Sequence, residues 1–267
     1  MSIDTQDLSE VKHEVVEVVR KAGSLLLPYL DREINSHSKG GLDFATEADD
    51  ALDKFLRDSL KTKFPDSHFL TEETAPEDYT TFRTAENLWV IDPIDGTTNF
   101  SRGVEPFCIS VGLVSRGKPI LGVIYEPTKN ALYQASRDDD FAIFNENQKL
   151  KVSKISSLGE ALIVSGFPWG EDQRVKLYAK LGKIYKNVRA ISMRGSAAQD
   201  LCEVASGRID AMFTIGIKPW DIAAGSLFVA KAGGLITRLD GGDWNVFDQE
   251  LIFSNRLLHK ELLSVLN

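Results

Sequence analysis

Asp92 and Asp95 are the residues of this chain best placed to do chemistry. They stand where an apolar run gives way to a small-residue turn: 89–100 reads Trp-Val-Ile-Asp-Pro-Ile-Asp-Gly-Thr-Thr-Asn-Phe. Trp89, Val90 and Ile91 favour a strand, which would present both carboxylates at its carboxyl end. Carboxylate oxygens are the hard ligands that Mg²⁺ takes. The following Gly96, Thr97 and Thr98 can open a helix, and free N–H groups at a helix N-terminus cradle phosphate. Cations on one side and an anion on the other is therefore one reading of the run. A plain strand and Asx-type turn is the other, since Asp, Pro and Gly are common turn residues.

Four further places carry related chemistry. Glu72, in Thr71-Glu72-Glu73-Thr74, follows the short apolar run 68–70 and so stands at a strand end, as Asp92 does. Asp49 begins a second helix, Asp221 falls in the first turn of an Ala-rich helix after Pro219, and Arg194-Gly195-Ser196-Ala197 leads into the helix before that one. Asp49, Asp221 and Ser196 could each be simple caps or dipole partners, worth about 1 kcal/mol. Joined together, the carboxylates suit hard divalent cations. Two such ions about 3.5–4 Å apart can clamp a phosphoryl transfer and lower the pKa of water. The four histidines show no mutual ligand spacing, which argues against zinc. No Ser-His or Cys-His pair with a local signature is present, and Asp138-Asp139-Asp140 reads as solvated surface.

The elements that must hold these groups can be read from periodicity. Residues 8–30 and 46–64 repeat apolar positions at helical spacing, the second ending at Pro65. From 107 to 152 short strands alternate with turns, as an antiparallel meander does. After 162 helices and strands alternate, with helices expected at 172–185, 196–205, 221–232 and 257–266 and strands at 188–192, 209–215, 235–239 and 251–254. Helices layered on sheets in both halves imply an α+β fold. One domain, 1–267, is expected, with lobes of about 1–152 (α+β with an antiparallel sheet) and 153–267 (α/β) sharing one site.

Composition sets the outer limits. The chain has 267 residues, 43% hydrophobic and 26% charged, as an ordinary soluble enzyme does. Its net charge of −8 argues against a nucleic-acid surface. Cys108 and Cys202 form no CxxC pair and read as buried free thiols in a reducing compartment. The polar, acidic residues 1–11 show no signal peptide, and no apolar run approaches a membrane span. A cytoplasmic protein with no membrane partner is expected.

At these residues the chain resembles the inositol monophosphatase family, the Mg²⁺-dependent, lithium-sensitive phosphatases. Residues 89–100 match the family's first signature, and 220–234, WDIAAGSLFVAKAGG, match its second. Thr46-x-x-Asp49 and Glu72-Glu73 are also in place, so the similarity spans essentially the whole chain. The resemblance implies a layered α-β-α-β-α sandwich of the inositol monophosphatase and fructose-1,6-bisphosphatase type. It further implies two or three Mg²⁺ per site. Glu72, Asp92 and the Ile94 carbonyl would hold the first, and Asp92, Asp95 and Asp221 the second. Thr97, hydrogen-bonded to Asp49, would orient and deprotonate the attacking water with help from Glu72. The N–H groups of Gly96 and Thr97 would take the phosphate in a direct in-line attack. Asp95, Thr98, Arg194, Gly195, Ser196, Ala197, Thr214, Lys218 and Asp221 would complete the substrate site, in a homodimer.

Departures from the pattern touch the substrate. Thr71 stands where the family often has glycine. Thr214 stands where inositol-specific members commonly carry a glutamate that accepts hydrogen bonds from ring hydroxyls. Lys218 and Arg194 lie beside the expected pocket, where they would suit a second anionic group. The expected activity is hydrolysis of myo-inositol monophosphate, a small phosphorylated metabolite. A fructose-1,6-bisphosphatase or dual-specificity enzyme is the alternative, ahead of nucleotide bisphosphate, NADP or histidinol phosphate phosphatases. A non-catalytic regulatory protein on the same fold is the alternative from another class.

Overall fold

The protein was analysed as a computed structural model, which describes residues 7–40 and 43–267. The leader-free reading of residues 1–11 thus falls partly outside the described residues. Helix α1 (Leu8–Leu26) buries the periodic Val11, Val15, Val18, Val19 and Ala22. Strands β1 (Ser36–Gly40) and β2 (Asp43–Thr46) pair as an antiparallel hairpin that the sequence reading did not anticipate. Both strands are short and β1 is mostly exposed, so the hairpin carries no apolar alternation to betray it. Helix α2 (Glu47–Lys63) starts at the Thr46 cap and stops before Pro65. Both helices pack on one face of a seven-stranded sheet, their Val and Leu side chains meeting Trp89, Ile91, Val111 and Val123.

That sheet runs in order β3 (His68–Thr71), β4 (Leu88–Asp95), β5 (Cys108–Ser115), β6 (Lys118–Glu126), β7 (Ala131–Ser136), β8 (Ile143–Phe144) and β9 (Gln148–Lys149). Strands β3 and β4 are parallel, and the remainder is the expected antiparallel meander. The short helix α3 (Thr97–Ser101) follows β4 directly. Asp139 is not free surface charge as expected. It accepts from the Lys12 ammonium at 2.5 Å and the Ser136 N–H at 2.6 Å, tying the turn after β7 to α1.

The second half supplies β10 (Leu162–Ser165), α4 (Glu171–Ile184), β11 (Ala190–Ser192), α5 (Ala197–Ala205), β12 (Ala211–Phe213), α6 (Pro219–Lys231), β13 (Gly234–Arg238), β14 (Leu251–Asn255) and α7 (His259–Leu266). Its sheet has the order β11-β10-β12-β14-β13, parallel across the first three strands and antiparallel beyond. Helices α5 and α6 lie between the two sheets, and α4 and α7 cover the far face. The layers are therefore α-β-α-β-α, as expected. Helix α6 is buried almost all round, which explains why its sequence lacks a polar face. Gly112 and Gly122 let it approach: a Cβ at Gly112 would stand 2.7 Å from the Ala223 Cβ, and one at Gly122 2.8 Å from the Ala224 Cα. Among the described residues no helix is long and apolar enough to cross a membrane.

Candidate active site

Strand β4 carries the two central aspartates to one place by breaking its own alternation. Asp92 pairs with Ser110 and Asp95 with Cys108, so three residue steps on β4 face two on β5. Residues three apart on a regular strand point to opposite faces. One extra residue restores a common side, which is what a bulge does. Pro93, with no N–H to give to a ladder, suits such a place. Asp221, in the first turn of α6, accepts the Lys218 N–H at 3.0 Å. Oxygens of Asp92, Asp95 and Asp221 then all lie within 4.8 Å of one another.

These carboxylates form the floor of a cavity of about 950 Å³. Glu72, Ile94, Gly96, Thr97 and Thr98 also line it, as do Gly195, Ser196, Ala197, Thr214 and Lys218 from the second half. Burial raises the Asp92 carboxyl well above the usual range, and Glu72, Asp95 and Asp221 push it further. Asp221 is raised for the same reasons, burial first and then Asp95. Asp95 rises to about 6: burial lifts it, and donors from Ser196, Ala198 and Ala197 hold it down. A buried group of like charges held this close calls for a cation.

Asp49 does two jobs with its two oxygens. Oδ2 accepts the Thr46 N–H at 2.7 Å and completes the α2 capping box. Oδ1 accepts the Thr97 hydroxyl at 3.2 Å. The cap is thus formed, and the Asp49–Thr97 contact expected from the resemblance is present beside it. Burial raises the Asp49 carboxyl to about 6, against the donors from Thr46. The Thr97 hydroxyl also lies 3.0 Å from the Ile94 carbonyl, so its single proton has two acceptors.

The donors expected for substrate at 196–197 face inward instead. Ser196 Oγ and the Ala198 N–H donate to Asp95 Oδ2 at 2.7 and 2.6 Å, and the Ala197 N–H to Oδ1 at 3.2 Å. The anion at the N-terminus of α5 is therefore Asp95 itself. Arg194 is a correction. It does not line the cavity; its guanidinium lies 3.4 Å from Asp200 and 3.8 Å from Glu203, on α5. Burial raises the Asp200 carboxyl to about 8, against the pull of the Arg194 guanidinium. Thr214 is fully buried and its hydroxyl accepts the Leu251 N–H at 3.3 Å. Lys218 lines the cavity and makes no ion pair or side-chain hydrogen bond among the described residues.

Among the cavity residues that escaped the sequence reading are Lys39 and Asn99. Lys39, on the β1–β2 hairpin, places its ammonium 2.8 Å from Glu72 and 2.7 Å from Glu73. A lone lysine on an exposed strand gives no signal of this. Asn99 ties α3 to two other segments, and its place inside the 89–100 run was the available clue.

Known proteins share this arrangement of chain. The chain is 36% identical over 254 residues to a fructose-1,6-bisphosphatase/inositol-1-monophosphatase of Thermotoga maritima, covering 94% of each. It is 32% identical to the Nus factor SuhB of Escherichia coli, covering 93% of this chain and 92% of that one. The solved inositol monophosphatase from Anabaena (Nostoc) superposes with a TM-score of 0.84 at 31% identity, covering 97% of this chain and 96% of the other. The match to the inositol monophosphatase family takes in residues 7–267, and with the fold and the carboxylate cluster it establishes that the chain belongs to that family, whose members are phosphatases.

Proposed function

We propose that this chain is a Mg²⁺-dependent phosphomonoesterase that hydrolyses myo-inositol monophosphate, with 1–267 acting as one domain whose two lobes share the site. The observation that carries this is the convergence of three carboxylates within 4.8 Å beside the Asp49–Thr97 pair. The donor set is all oxygen, as Mg²⁺ prefers, and its crowded negative charge fits two or three such ions. Glu72, Asp92, Asp95, Asp221 and the Ile94 carbonyl would hold them. When bound, Mg²⁺ offsets phosphate charge and lowers the pKa of water.

The chain's own groups do the rest. The first N–H groups of a helix lack partners within it, so those at Gly96 and Thr97 are suited to phosphate oxygens. Thr97 resting its proton on Asp49 leaves an oxygen lone pair to accept a proton from the attacking water. Asp49, raised to about 6, suits that exchange near neutral pH. Attack is in line, with no covalent enzyme intermediate. A panel of phosphorylated metabolites, assayed with Mg²⁺ and then with chelator, tests the proposal. No phosphate release from any ester in Mg²⁺ would sink it.

A sugar bisphosphate is the second reading, favoured by Lys218 at the cavity wall, which has no ion pair among the described residues, and by the dual name of the Thermotoga relative. Rates on inositol 1-phosphate and fructose 1,6-bisphosphate, measured side by side, decide between them. The relatives named Nus factor SuhB motivate the regulatory reading. Retention of Asp49, Glu72, Asp92, Asp95, Thr97 and Asp221 speaks against it as the sole role. A homodimer belongs to the same proposal. Its support is the exposed apolar row of Val175 and Tyr178 on α4 with Tyr185 at its C-terminal cap. Light scattering tests it. A cytoplasmic location is supported by Cys108 and Cys202, which are free and buried.

A further inference from the structure

Asn99 lines the cavity and has no task in the reaction proposed above, yet both donors of its side-chain amide are committed. A side-chain amide has two N–H donors. The Asn99 amide nitrogen lies 2.8 Å from the Pro106 carbonyl and 2.8 Å from the Arg194 carbonyl. It thereby joins three stretches of chain: α3, the lead-in to β5, and the turn that opens α5. After Arg194 the chain turns through Gly195 at φ +85° and delivers Ser196, Ala197 and Ala198 to Asp95. The fit is close, since a Cβ at Gly195 would stand 3.0 Å from the Asn99 amide nitrogen, and one at Gly96 3.1 Å from the Gly195 carbonyl oxygen.

We propose that Asn99 is a positioning residue that pins the 194–196 turn to the end of β4 and so fixes how Asp95 presents its oxygens to the metal cluster. Oδ2 of Asp95 takes two short donors, at 2.7 and 2.6 Å, while Oδ1 takes one long one at 3.2 Å. Of the four lone-pair sites the one left free is therefore on Oδ1. Arg194 is a fixed target for the clamp, because its guanidinium is held by Asp200 and Glu203 while its carbonyl is held by Asn99. Without Asn99 the side chain of Asp95 would have to hold the turn and stay oriented at once. The catalytic consequence rests on the phosphatase reading; the clamp itself does not.

The test uses the full chain with Asn99→Ala and Asn99→Asp. In chelator, amide hydrogen exchange at Ala197 and Ala198 is expected to quicken by about ten-fold or more in Asn99→Ala, while amides of β4 and α6 stay protected. Mg²⁺ measured calorimetrically is expected to bind about ten-fold more weakly, the usual cost of losing a group that orients a ligand. With substrate, kcat should fall more than KM rises. Asn99→Asp should be worse on every readout, because a carboxylate would face two carbonyl oxygens. Unchanged exchange at Ala197 and Ala198, or equally faster exchange throughout the chain, overturns the clamp. Should Asn99→Ala not fold, Asn99→Ser, too short to reach both carbonyls, carries the same expectation. A wild-type chain that hydrolyses no ester in Mg²⁺ sinks the phosphatase reading instead, and the exchange arm still decides the clamp.

Discussion

The wall of the cavity formed by β4 and α3 is tied down on every side, whereas the wall formed by Thr214 and Lys218 is held only where main chain demands it. Asp95 accepts three donors from α5, Asp49 closes the α2 cap while holding Thr97, and Asp221 is fixed to the Lys218 N–H. Lys218 has no ion-pair partner among the described residues, and the Thr214 hydroxyl has one N–H to satisfy. Groups that must meet developing charge in one geometry are fixed before substrate arrives. Under the proposed function Lys218 is the group left free to meet different substrates, and differences between family members are expected there.

The sharpest way to break this contrast is Asp92→Asn. It should lower kcat by about 10³-fold or more, by removing the shared carboxylate on which the cluster centres. Retention of more than about a tenth of the rate, a barrier change of roughly 1.4 kcal/mol, would defeat the two-metal assignment. The same variant should melt higher than wild type in chelator, since one of the crowded buried charges is gone. Thr97→Ala comes next, with a loss of about 10²-fold or more in kcat and little change in KM. A KM effect equal to the kcat effect would make Thr97 a binding residue. On the opposite wall, Lys218→Met should cost about ten-fold in kcat/KM on a bisphosphate and little on a monophosphate, as rates on paired substrates would show.

The smallest effect is on stability. Asp92 and Asp221 have folded pKa values above the unfolded value of 3.8, so the folded chain binds more protons than the unfolded one. Stability in chelator therefore falls as pH rises through the raised values. His259 works the other way: burial lowers it from 6.5 to about 4, so its contribution is lost as pH falls through that window. Burial also raises Glu73 to about 7 and Asp200 to about 8, so between pH 6.5 and 8 the carboxylate trend remains. The melting midpoint there should drop by about 2–4 °C in chelator and recover with Mg²⁺. A midpoint that rises with pH would contradict the raised pKa values.

The 89–100 run was legible because strand, turn and helix start follow one another with no long-range help. The α2 cap and the first turn of α6 were legible for the same reason, since a helix start announces itself within four residues. The β1–β2 hairpin was not, because two short strands, the first mostly exposed, carry no periodic signal. Neither was the fate of Arg194, which depends on Asp200 and Glu203, themselves placed by the packing of α5 between two sheets. The second sheet read as alternating helix and strand, yet β13 and β14 run antiparallel to their neighbours, which only pairing decides.

What the sequence by itself determined is the family and the carboxylates that could serve as ligands, since carboxylate identity and short-range spacing are properties of the chain. The tertiary structure alone decided which oxygens face the cavity. A bulge of one residue turned Asp92 and Asp95 to a common side, and the turn before α5 gave donors to Asp95. Side-chain direction depends on register and on partners brought from about a hundred residues away, and neither is written in local spacing.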